Sequence, residues 1–198
     1  MARKTSPDHR KLYQFAEPQA GYFTARQARA AGFMPSVLTY HVKASRFNRV
    51  AHGVYRLSQF PTSPFEDLYI AWLQTGPDSA ISHESALAVY ELSDVLPGEV
   101  HVIIPRTGSR RRKGIRLHTH RLDADEIAQR NGLPVTTVPR TIADVAANGL
   151  PEEQVLQAIQ EALERGLVTP EVLREYAKRR GGRGAHLIRK TLDIWSTE

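Results

Sequence analysis

Ser36, Thr39, Tyr40, Lys43 and Arg46 recur in a stretch whose intervals suit one face of a helix. Wound at about 100° per residue, the five side chains fall within an arc about 120° wide, with Leu38 and Val42 on the far side. The chemistry of such an arc is recognition of a polyanion. Lys and Arg neutralise phosphates or donate to guanine, Ser and Thr bond phosphate or base edges, and Tyr does either or packs on sugar. A solvated helix face normally mixes signs, yet no Asp or Glu occurs from Met34 to Leu57. The same stretch carries Arg49 and Arg56, with His52 as a further donor, while His41 falls toward the apolar back of the helix.

Other constellations suggest different chemistry and are less complete. His118 and His120 alternate along a predicted strand, His101 lies on another, and Asp123 and Asp125 follow. Two histidines at i and i+2 can share a metal, but the sequence fixes no third ligand, so no metal is expected. "SHES", residues 82–85, is read as a helix start with Ser82 as N-cap. A nuclease centre would require clustered acids with a lysine, and "DVLPGEVHV" offers Asp94, Glu99 and His101 with histidine where lysine is wanted. The sequence has no nucleophile elbow and no glycine-rich phosphate loop. Neither enzymatic activity nor a cofactor is expected.

The elements that must position the cationic arc are legible upstream and downstream. Residues 10–19 form a short helix, Thr24 caps a second one ended by Gly32, and a third starts at Pro35 or Ser36 and runs to about Ala44. "FNRV" and "VYRL" then read as strands joined by the three-residue loop "AHG", which leaves open whether Arg49 or Arg56 faces outward. Three helices and a hairpin outline a winged helix-turn-helix. At "SQFPTSPFED" the pattern breaks, and Ser63, Pro64 and Glu66 mark a new helix start. The expected division is 1–62 and 63–198.

Beyond that point helices are expected at 65–74, 83–91, 141–148, 152–165, 170–180 and 185–195, and strands at 100–104 and 115–121. Asn131-Gly132 supports a hairpin turn between "DEIAQR" and "LPVTTV", and Thr141 with Asp144 reads as a variant capping box. The fold class is therefore α+β: an N-terminal winged helix-turn-helix followed by a mixed α/β domain.

Charge divides along the same line. Residues 1–62 hold ten Lys/Arg against two acids, a net +8, whereas the whole chain of 198 residues is only +6. One half alone is thus expected to meet a polyanion, with Arg10 and Lys11 adding phosphate contacts beside the helix and hairpin. A second basic segment contains Arg110, Arg111, Arg112 and Lys113 and is a candidate second contact. Leu187, Ile188, Leu192 and Trp195 form an apolar stripe expected to dock on its own core. Cysteine is absent, no apolar run is long enough to span a bilayer, and the first residues lack an apolar leader. The expected location is the cytoplasm, without membrane contact.

The segment "GYFTARQARAAGFMPSVLTYHVKASRFNRVAHGVYRL" (21–57) resembles the winged-helix domain of the AbiEi family of antitoxins, from abortive-infection toxin-antitoxin systems. The resemblance continues through "AISHESALAVYELSD", "VHVIIPR", "RLHTHRL", "GLPVTTVPRTIADVA" and "ALERGLVTPEVL". Where the family often carries glycine before the first wing strand, this chain has Ser45-Arg46. The resemblance implies a repressor of its own operon that binds double-stranded operator DNA as two copies on an inverted repeat. It also implies a C-terminal domain that neutralises a nucleotidyltransferase-type toxin, without a stable complex being required. The alternative is a stand-alone winged-helix regulator whose second domain senses a ligand or assembles subunits.

Overall fold

The computed structural model describes residues 6–105 and 112–195, Trp195 by its backbone alone. The chain forms two compact units, one of Met1–Pro77 with Asn131–Leu133 and one of Asp78–Arg130 with Pro134–Glu198.

In the first unit, Asp8 caps α1 (His9–Ala16), accepting from the Lys11 N–H at 2.9 Å. A 3₁₀ turn, Glu17–Gln19, and the left-handed Ala20 then end the helix earlier than expected. The short strand β1 (Tyr22–Thr24) leads directly into α2 (Ala25–Ala30). Thr24 and Gln27 form a reciprocal capping box, with bonds of 2.7 and 3.1 Å, which satisfies two otherwise orphaned amides. Pro35 opens α3 (Pro35–Lys43), and the wing follows as β2 (Phe47–Ala51) and β3 (Val54–Leu57). Helix α4 (Glu66–Thr75) completes the unit.

The three strands form an antiparallel sheet with β3 in the centre. Directly opposed residues share a face of a sheet. Phe23, Tyr55 and Arg49 are mutually opposed, and Phe47 faces Leu57 on that same side. Here the core of Leu12, Ala16, Phe23, Ala28, Phe33, Leu38 and Phe47 is sealed, each large side chain contributing about 1.5–3 kcal/mol. The other face carries Tyr22, Arg56 and Asn48. Helix α4 packs on that face: the Tyr69 ring stacks on Tyr22 at 5.2 Å, and the Tyr22 hydroxyl donates to Glu66 at 2.6 Å. Burial, together with the Glu66 carboxylate, pushes the Tyr22 phenol up to about 12. Helix α4 therefore belongs to the first unit, whose boundary lies at Pro77 rather than at the proline-marked break near residue 62.

Helix α3 ends in a Schellman motif. Ser45 adopts φ +54°, its N–H donates to the Val42 carbonyl at 3.1 Å, and the Arg46 N–H donates to His41 at 3.0 Å. A left-handed residue at a helix end is a place glycine fills without strain, so Ser45 here carries a backbone cost.

The second unit is built on a five-stranded sheet: β4 (Ala80–Ile81), β5 (Val100–Ile104), β6 (Ile115–Thr119), β7 (Ile127–Arg130) and β8 (Leu133–Thr136). Their spatial order is β6-β5-β4-β8-β7. Helix α5 is His83–Tyr90, and α6 (Val138–Asn148), α7 (Glu152–Glu164), α8 (Pro170–Arg180) and α9 (Gly182–Trp195) form a helical layer. Asn131 and Gly132 have φ of +51° and +76°, as a type I′ turn requires.

Helix α6 begins three residues before Thr141, so Thr141 and Asp144 are not a cap. Thr141 is buried against Thr136, and Asp144 accepts from the fully buried Arg140 at 2.7 Å. Arg140 also donates to Glu126 at 2.7 Å, and Arg180 reaches Asp144 at 3.2 Å. Ile188 and Leu192 are buried, as expected of the α9 stripe, while the side chain of Trp195 lies outside the described residues.

Candidate nucleic-acid interface

Ser36, Thr39, Tyr40, Lys43 and Arg46 are all exposed, whereas Leu38 and His41 are buried. Four of the five face outward from α3 as the spacing predicts, whereas Arg46, expected on the same helix, lies beyond its end at the left-handed Ser45 and is exposed there. Tyr40 is 61% exposed and Met34, at the N-cap position, 52%; large side chains left this open at the front of a helix are available to a partner. The Thr39 hydroxyl donates to the Pro35 carbonyl at 2.9 Å, so toward a ligand it offers its lone pairs.

His41 is the residue that fastens α3 to the domain. Its ring stacks on Phe47 at 4.7 Å and meets Phe33 and His9 edge-on at 5.4 and 5.2 Å. Burial, with His9 and Arg46 nearby, holds its pKa below the usual histidine range, so it is neutral at pH 7.

The wing separates its two arginines. The loop is a two-residue turn, His52-Gly53, closed by the Ala51–Val54 pair, and the register shifts by one residue between Arg49 and Ala51, leaving Val50 as the bulge. Arg49 is exposed on the face that α3 shares, and His52 is exposed at the tip. Arg56 points to the other face. It donates to the Phe60 carbonyl at 3.0 Å and lies over the Tyr22 ring at 6.0 Å, so its role is structural and it does not join the outward set.

Arg10 and Lys11 are exposed on α1, and a groove of about 580 Å³ is bordered by Arg10 and Arg46 together with His9, Tyr13 and Ser58. None of the ion pairs among the described residues involves a cation of the first unit. Its positive charge is thus not neutralised internally, the condition for attracting a polyanion.

The second basic segment is only partly described. Arg110 and Arg111 lie outside the described residues, Arg112 is half-buried in a bridge to Ile115, and Lys113 is exposed.

The histidines regroup. His120 is exposed, Asp123 caps a 3₁₀ turn, and Asp125 faces Arg179 at 3.7 Å, so none of these joins a cluster. His101 and His118 do come together, and the third member is His83, which the sequence presents as an ordinary helix start.

The first unit is a winged helix-turn-helix with its cationic front open, the architecture of a DNA-binding regulator. Residues 10–58 match the family model described as "Transcriptional regulator, AbiEi antitoxin", and residues 79–194 match "AbiEi antitoxin C-terminal domain". The chain belongs to the AbiEi antitoxin family. Among solved structures it is similar to the RV2827C protein from Mycobacterium tuberculosis, with a TM-score of 0.58 at 14% identity over 92% of this chain and 74% of that one. That likeness is one of fold. No curated protein sequence matches the chain significantly. Among the described residues no helix is long and apolar enough to cross a membrane.

Proposed function

We propose that this toxin-antitoxin regulator represses its own operon by laying the front of α3 in the major groove of operator DNA. Arg49 and His52 of the wing, with Arg10 and Lys11, reach neighbouring backbone. The observation that carries this reading is the acid-free, outward set of Ser36, Thr39, Tyr40, Lys43 and Arg46, free of internal ion pairs among the described residues. Family membership supports the second half of the reading, neutralisation of a nucleotidyltransferase-type toxin by the second unit. An inverted-repeat operator bound by two copies follows from the same resemblance.

Two measurements test it. In a salt-titrated operator-binding assay, the Lys43→Ala/Arg46→Ala chain should lose affinity and show a salt slope shallower by about two, since each neutralised phosphate contributes about 0.9. Full affinity in that double variant would remove α3 from the interface. If the adjacent reading frame encodes a nucleotidyltransferase, co-expression with it should relieve its growth arrest with either chain, because the altered residues lie in the first unit. Failure of the unaltered chain to relieve arrest would leave a stand-alone regulator.

A further inference from the structure

Three imidazoles converge inside the second unit. β5 and β6 run parallel with Ile103 opposite His118, so His101, two residues before Ile103, shares that face with His118 on the diagonal. The start of α5 is tied to the same strand: the Ser82 N–H donates to the His101 carbonyl at 3.0 Å, and the His101 N–H donates to the Ser85 hydroxyl at 2.9 Å. These bonds bring His83 onto the pair. Its ring stacks on His118 with centroids 3.5 Å apart, and one ring nitrogen of each histidine lies within 4.8 Å of the others.

Three details distinguish this from a packed histidine core. His118 Nε2 and His101 Nδ1 are 3.3 Å apart, the separation that two nitrogens take when each stands about 2.0–2.1 Å from one tetrahedral ion. Glu84 Oε2 lies 2.5 Å from His101 Nδ1 and holds that ring at the cluster. His83 is held at φ +50°, a left-handed backbone that costs a non-glycine residue about 1–2 kcal/mol and that places its ring in the cluster. The chemistry of the set agrees: burial, then neighbouring imidazoles, pushes His83 down to about 3, and burial, then His101, pushes His118 down to about 4. Both are neutral at pH 7, with lone pairs to give.

We propose that His83, His101 and His118 bind a divalent first-row transition ion of the zinc type. Three imidazoles suit such an ion, and the fourth position of its tetrahedron is left to water. On binding, the His83 ring turns out of its stack on His118, because two parallel imidazoles cannot both hold one ion in their ring planes, and the ion pins α5 to β5 and β6. Ser82 Oγ, 3.0 Å from His83 Nδ1, serves as the outer partner that orients the ring.

The test uses the full, tag-free chain stripped by a chelator and titrated with zinc against a chromophoric competitor. The expected result is one tight equivalent, at least about 100-fold weaker in His118→Gln, about tenfold weaker in Ser82→Ala, and unchanged in His120→Gln. Circular dichroism checks that the variants fold. Should His118→Gln not fold, cobalt replaces zinc in the unaltered chain, where the visible bands of a tetrahedral site are expected. Absence of a tight equivalent, equal losses in His118→Gln and His120→Gln, or a cobalt titration without those bands would overturn the site.

Discussion

Arg56 donates to the Phe60 carbonyl at 3.0 Å, on the face of the wing sheet that α4 covers, while Arg49, seven residues earlier, lies exposed on the opposite face. The two arginines are one bulge apart from being equivalent, and the bulge is what sorts them. Arg49→Ala should therefore weaken operator binding and reduce the salt slope by about one, with the unfolding midpoint unchanged. Arg56→Ala should do the reverse, costing about 1–2 kcal/mol in urea denaturation while the salt slope stays as it was. Equal effects on binding would show that the wing is turned differently.

Ser45 sits in a conformation that glycine adopts without strain. Ser45→Gly should stabilise the chain by about 1 kcal/mol, read as a rise in the urea midpoint at constant slope. A β-branched residue at the same place should destabilise by at least as much.

His41 makes the stability of the first unit depend on pH. Its pKa in the folded chain lies below 6.5, through burial first and then His9 and Arg46, so the unfolded chain takes up its proton sooner. The contribution is fully present above pH 6.5 and is lost as pH falls below it. Urea midpoints at pH 7.5 and 5.5 should differ more for the unaltered chain than for His41→Phe, which keeps the stacking on Phe47 without the titrating ring.

Arg140 bridges two buried carboxylates, Glu126 and Asp144. Glu126 is held below its usual range although burial alone would raise it, because Tyr176, the Asp123 backbone and Arg140 outweigh that burial; Asp144 is raised by burial despite Arg140. Removing the guanidinium in Arg140→Ala should cost about 3–5 kcal/mol by urea denaturation, with part recovered when Glu126→Gln and Asp144→Asn are added.

What could be read from the sequence was what is local. Thr24 announced its capping box, Pro35 the start of α3, and Asn131-Gly132 the turn between β7 and β8, because each signal acts within a few residues. The arc from Ser36 to Lys43 was legible for the same reason, because helical geometry fixes it before any tertiary contact forms, whereas Arg46 lies beyond the left-handed Ser45 that ends the helix. β1 and β4, three and two residues long, are too short to show an alternation and were not anticipated. The Ser63-Pro64 punctuation suggested a boundary that the Tyr22–Tyr69 stack carries on to Pro77. His83 looked like part of a helix start, and Arg140 with Asp144 like part of a cap region. In both, the deciding partners come from elsewhere in the chain, His118 in one case and Glu126 in the other.

The cover that α4 places over Tyr22 also sets where this protein can be cut. A fragment ending at the Ser63-Pro64 signal would strip Glu66 and Tyr69 from the Tyr22 ring and leave an aromatic sheet face wet. Such a piece would aggregate and mimic a loss of DNA binding, so a soluble reader of the operator has to keep its seventh element, through Thr75.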